Sequence, residues 1–68
     1  MNDEALNLSI RRFLKMVGVN SQREIEKAVS AAFAANTLHE SENLAATMTL
    51  RISGLDLEVK FDGEIRLS

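Results

Sequence analysis

The stretch Val17-Gly18-Val19-Asn20-Ser21-Gln22-Arg23-Glu24 decides how the first half of this chain is read. Ser21-x-x-Glu24 has the form of a capping box: the Ser21 hydroxyl accepts from the Glu24 amide, and the Glu24 carboxylate accepts from the Ser21 amide. Gly18 suits the left-handed C′ position that ends a helix, with Val19 at C″ falling against Leu14 at C3. Together these features predict two helices, over residues 3–17 and 21–35, that turn sharply at Gly18.

Working outward, Leu6, Ile10, Phe13, Leu14 and Val17 recur at spacings of three and four, one stripe of an amphipathic helix. Asn2 or Asp3 can cap its start, and Asp3 and Glu4 suit the positive end of its dipole. Beyond the elbow the stripe is Ile25, Ala28, Val29, Ala32 and Phe33. From Ala28 to Ala35 every residue but Ser30 is apolar, and small side chains allow close backbone approach. This half is therefore expected to meet the sheet on one face and the first helix, or a second subunit, on the other, with Ala31, Ala34 and Ala35 as the candidate association face.

Residues 36–43 lack periodicity and read as a loop. The period then becomes two. Leu44, Ala46, Met48, Leu50 and Ile52 alternate with more polar residues, as do Leu55, Leu57, Val59 and Phe61 after Gly54. Strands are expected over about 45–53 and 55–61. A two-residue Ser53-Gly54 turn would place Ile52 opposite Leu55, Leu50 opposite Leu57 and Met48 opposite Val59. On the other face it would set Arg51 opposite Asp56 and Thr47 opposite Lys60. Asp62-Gly63 then suggests either a further turn and a short third strand at 64–67, the preferred reading, or a second strand that runs on. The fold class expected is α+β: two N-terminal helices packed on an antiparallel hairpin or short three-stranded meander, as one domain over 1–68.

Sixty-eight residues lie near the lower size limit for a chain that folds alone, and such scaffolds usually add disulfides, a metal or an oligomeric partner. With no cysteine, disulfides and thiolate metal sites are excluded, which fits a reducing compartment. The start, Met1-Asn2-Asp3-Glu4, is acidic rather than signal-like, and no apolar run approaches the ~20 residues of a membrane span. A cytoplasmic location without membrane attachment is the expectation. Net charge is −2, but it is unevenly spread. Residues 11–27 hold five cations against Glu24 and Glu26, a balance of +3. Residues 28–68 hold three cations against six carboxylates, a balance of −3.

Motifs that carry chemistry are scarce. His39 stands beside Glu40 and Glu42 with no further ligand at a recognised metal spacing, so it reads as a solvated loop histidine. No serine sits in a nucleophile-elbow context, and Gly18, Gly54 and Gly63 are isolated rather than a phosphate loop. Neither an enzyme nor a cofactor is expected. The best functional candidate is basic. Arg11 and Lys15 share a helix face, Arg12 is adjacent, and Arg23 and Lys27 repeat the spacing. If the two polar faces meet at the Gly18 elbow, all five cations form one patch for a phosphate backbone or an acidic protein. The alternative is that they line two ordinary solvated faces.

The elbow also resembles the turn of a truncated winged helix-turn-helix. That family pattern wants apolar residues six and nine positions after the turn glycine, where this chain has Glu24 and Lys27. Glu24 and Glu26 on the reading helix would repel phosphate. Over nearly its full length the chain resembles a family of small, functionally uncharacterised bacterial proteins of about 70 residues. The resemblance rests on Ile10-Arg11-Arg12-Phe13-Leu14-Lys15, Val17-Gly18-Val19, the run Ser21 to Val29, Met48-Thr49-Leu50 and Gly63-Glu64-Ile65. It implies a bacterial cytosolic origin and a free-standing domain, and supplies no functional residues. The expectation is a non-enzymatic protein-interaction or self-associating module, such as a homodimer. Weak nucleic-acid binding through the basic elbow is the alternative.

Overall fold

The computed structural model describes all residues, Met1–Ser68. They form two compact units, Met1–Leu38 and His39–Ser68. The first is a single helix, α1, over Asp3–Ala34. Asn2 caps it in extended conformation, its side-chain Oδ1 accepting from the Ala5 amide at 3.0 Å, and Asp3 and Glu4 occupy the first turn. The expected start is thus correct.

The expected elbow is not. α1 runs unbroken through Gly18, which has no positive φ, and Ser21 and Glu24 lie in the helix interior. Magnitudes account for the difference. A glycine inside a helix costs about 1 kcal/mol relative to alanine. Ending one helix and starting another leaves backbone groups unpaired at both ends and repeats a nucleation worth roughly 4 kcal/mol. Ser and Glu at i, i+3 are also unremarkable within a helix, so the capping-box pattern does not by itself stop the chain. Asn20 is accommodated by donating from Nδ2 to the Met16 carbonyl at 2.8 Å. The apolar stripe also stays in phase across the glycine: Val17, Ser21, Ile25, Ala28 and Ala32 succeed one another at helical spacing.

A Schellman motif does end the helix, eighteen residues later. Asn36 takes the left-handed conformation at φ 57°, its amide donating to the Phe33 carbonyl at 3.1 Å. The Thr37 amide donates to the Ala32 carbonyl at 3.0 Å, and the Thr37 hydroxyl to the same oxygen at 3.2 Å. Asparagine fills the role often given to glycine because it too tolerates this region.

The second unit is an antiparallel hairpin of β1, Asn43–Ile52, and β2, Leu57–Arg66, paired without interruption from Asn43↔Arg66 to Ile52↔Leu57. The register differs by two residues from that expected. Ile52 faces Leu57 rather than Leu55, Leu50 faces Val59 and Met48 faces Phe61. The connection has four residues: Ser53–Leu55 form a 3-10 turn, and Asp56, at φ 52°, donates from its amide to the Ser53 carbonyl at 3.2 Å. A two-residue turn would need the left-handed conformation at Ser53 or Gly54; here Asp56 supplies it. Because a shift of two preserves the side-chain alternation, every large apolar residue of the strands keeps its expected face.

No third strand forms. β2 continues through Asp62-Gly63, with Gly63 opposite Ala46 and Ile65 opposite Leu44 on the apolar face. Running on keeps Ile65 in phase, which a two-residue turn at Gly63 would not. Ahead of β1, the Glu42 amide donates to the His39 carbonyl at 3.0 Å, and the His39 amide to Glu42 Oε1 at 3.2 Å.

Candidate interaction surface

Each unit is amphipathic, and many of its large apolar residues are exposed. Leu38 is the one buried residue of the chain. On α1, Leu6, Ile10, Phe13, Leu14 and Ile25 are all exposed, Leu14 to 55%. Val17, Ser21, Val29 and Ala32 on the same side are half-buried. On the hairpin, Leu44, Ala46, Leu50, Leu57 and Ile65 are half-buried, while Met48, Val59 and Phe61 between them are exposed. Leu55, at the turn, is 72% exposed. Exposure of single apolar side chains is ordinary; exposure of several large ones along one helix side and along one sheet face is not.

The candidate association face keeps its local geometry. Ala31, Ala34 and Ala35 share one side of the helix end at i, i+3 and i+4, and all three are exposed. They are continuous with a much longer apolar side, which the sequence reading confined to the helix end.

The candidate basic patch is redistributed. It was to be gathered by an elbow, and α1 has none. Arg11, Arg12 and Lys15 lie together and line, with Leu8, one shallow depression on the helix. Arg23 and Lys27 lie further along, Arg11 and Lys27 being about 24 Å apart along the axis at 1.5 Å per residue. Lys27 is paired with Glu24, Nζ to Oε2 at 3.2 Å. No ion pair engages Arg11, Arg12, Lys15 or Arg23. Arg11, Arg12 and Lys15 thus lie together, and Arg23 and Lys27 lie apart from them.

The polar face of the hairpin is tied by cross-strand contacts. The Thr47 hydroxyl donates to Asp62 Oδ1 at 2.9 Å, and Arg51 donates from Nε to Glu58 Oε1 at 3.0 Å, with Nη2 on the same oxygen. The register expected from sequence gave these residues the partners Lys60 and Asp56. The structural register gives Arg51 an equally favourable carboxylate and gives Thr47 an acceptor in place of a cation. Both pairs are solvent-exposed and contribute about 0–1 kcal/mol each.

No group of His, Asp and Glu comes together in a way that could hold a metal ion. His39 stands exposed in the loop. No helix is long and apolar enough to cross a membrane.

A long capped helix and a bulge-free two-stranded hairpin, each with one apolar side, thus define a small α+β chain. Its family is shown by sequence: residues 1–68, the whole chain, match the model of a family of unknown function, DUF6494, and the chain belongs to that family. No curated protein and no solved structure matches it.

Proposed function

We propose that this chain is a non-enzymatic interaction module that acts as a homodimer, in the cytosol of a bacterium. One observation carries the reading: a chain with 46% hydrophobic residues buries only Leu38. A helix or a sheet with one apolar face needs a second layer to cover it. A two-stranded hairpin is marginal on its own, and most helical stability comes from packing of the amphipathic face.

Sedimentation equilibrium at micromolar concentration tests this. The expected mass is twice 7.5 kDa. A stable, folded species of single-chain mass at all concentrations contradicts it.

A second reading rests on Arg11, Arg12 and Lys15, which share one depression and have no carboxylate partner. Under it the module binds single- or double-stranded nucleic acid weakly. Affinity would then fall steeply with salt, as counterions are released. Fluorescence anisotropy of a labelled oligonucleotide at low salt measures this, and no change in anisotropy removes the reading.

A further inference from the structure

The two strands of the hairpin differ in how their outer edges are protected. In a two-stranded sheet each strand has one edge paired and one open. On β2 every position of the polar face is charged: Glu58, Lys60, Asp62, Glu64 and Arg66. Charges of this kind block pairing with another chain. The corresponding positions of β1 are Asn43, Ala45, Thr47, Thr49 and Arg51, with a single charge at the far end. From Asn43 to Leu50, eight residues run with no charge, no glycine and no proline. β1 also has no bulge to turn its edge away, since its pairing with β2 is continuous. A long, flat, uncharged edge of high β-propensity pairs with another strand unless it is covered.

We infer that β1 pairs antiparallel with β1 of a second copy about a two-fold axis near Thr47, joining the two hairpins into one four-stranded sheet. This rests on the homodimer reading and names the surface it uses. The register follows from the residues. Only registers that pair odd with odd and even with even positions keep both apolar faces on one side of the joined sheet. Centring on Thr47 uses nine of the ten residues of β1. It sets Thr47 against Thr47, Ala45 against Thr49 and Asn43 against Arg51 on the polar face. On the apolar face it sets Leu44 against Leu50 and Ala46 against Met48. No two like charges meet, and Thr–Thr pairs are favourable across strands. The same construction on β2 centred at Asp62 sets two carboxylates against each other; a shift by one residue to Phe61 opposes Glu58 to Glu64. The joined sheet also doubles the width of the apolar face that the helices of the dimer can cover.

The natural absence of cysteine makes the test direct. The full chain carrying Thr47→Cys is oxidised in air at micromolar concentration beside Asp62→Cys, and the covalent dimer is followed on a non-reducing gel. Directly opposed strand residues bring Cα atoms within about 4.5–5.5 Å, inside disulfide range. The expected result is cross-linking of Thr47→Cys at least about tenfold faster than of Asp62→Cys. Thr47→Lys gives an independent reading. In its own hairpin the new ammonium faces Asp62, whereas across the two-fold it faces its own copy, so the dimer dissociation constant should rise about tenfold or more while the circular dichroism of the strands persists. If wild-type protein sediments as a dimer but Thr47→Cys cross-links no faster than Asp62→Cys and Thr47→Lys stays dimeric, the edge pairing is overturned and self-association stands. If wild-type protein is a monomer, both fail.

Discussion

The helix and the hairpin solve the same problem to different extents. Both present one apolar side and one charged side. α1 closes its own hydrogen-bond ladder and has both ends capped, by Asn2 at the start and by Asn36 and Thr37 at the finish. It can offer a partner only side chains. The hairpin has its inner ladder paired and both outer edges open, so it offers backbone as well. The two units also differ in sign of charge, Met1–Leu38 carrying +1 and His39–Ser68 carrying −3. The helix is complete as secondary structure and incomplete only as a packing surface. The hairpin is incomplete as both. A partner is therefore expected to matter more to the hairpin.

Substitutions test that contrast. The largest effect is expected on the hairpin's apolar face, where Phe61→Asp places a charge in what association covers. It should weaken the dimer by about 3 kcal/mol or more, read as sedimentation at single-chain mass. The caps come next. Asn2→Ala removes the acceptor for the Ala5 amide and should cost about 1 kcal/mol in thermal stability. Asn36→Ala forces a left-handed residue to carry a branched-free but unassisted side chain and should cost about 1 kcal/mol, whereas Asn36→Gly should be neutral or better. Gly18→Ala should raise stability by about 0.5–1 kcal/mol, because a Cβ there meets nothing within 4 Å and the backbone is helical. A fall in melting temperature would instead revive the elbow, so this substitution reads the continuity of α1 by its sign. The smallest effect belongs to Glu58→Gln, which leaves Arg51 without its carboxylate at a cost of a few tenths of a kcal/mol, measured by chemical denaturation.

The sequence disclosed some of this and withheld the rest for identifiable reasons. The faces of the hairpin were legible because a period of two admits one assignment of Leu44, Ala46, Met48, Leu50 and Ile52. Its register was not, since registers two residues apart bury the same face and differ only in which turn is used. Asp56, a residue that tolerates the left-handed region, was the clue to the longer turn. Gly18 ahead of Ser21-x-x-Glu24 carries the wording of a helix break, but the stripe Val17, Ser21, Ile25, Ala28 continues in phase through it, and that phase was the better guide. Asn36 was set in the loop, whereas it is the residue that ends the helix. Arg11, Arg12 and Lys15 lie together because positions this close in sequence are neighbours on a helix, whereas a patch that also took in Arg23 and Lys27 depended on the elbow. The contrast between the charged β2 edge and the bare β1 edge was present in the sequence as well. It acquires meaning only once the strands are known to be the two edges of a two-stranded sheet.

In the proposed homodimer, association supplies most of the core. Thermal unfolding followed by circular dichroism at protein concentrations from about 1 to 100 μM tests it most directly. If folding and dimerisation are one equilibrium, a hundredfold rise in concentration adds about 2.7 kcal/mol per dimer. The melting temperature should then climb by on the order of 10 °C. A cooperative transition whose midpoint does not move across that range would show that one chain buries a sufficient core by itself, and would contradict the account.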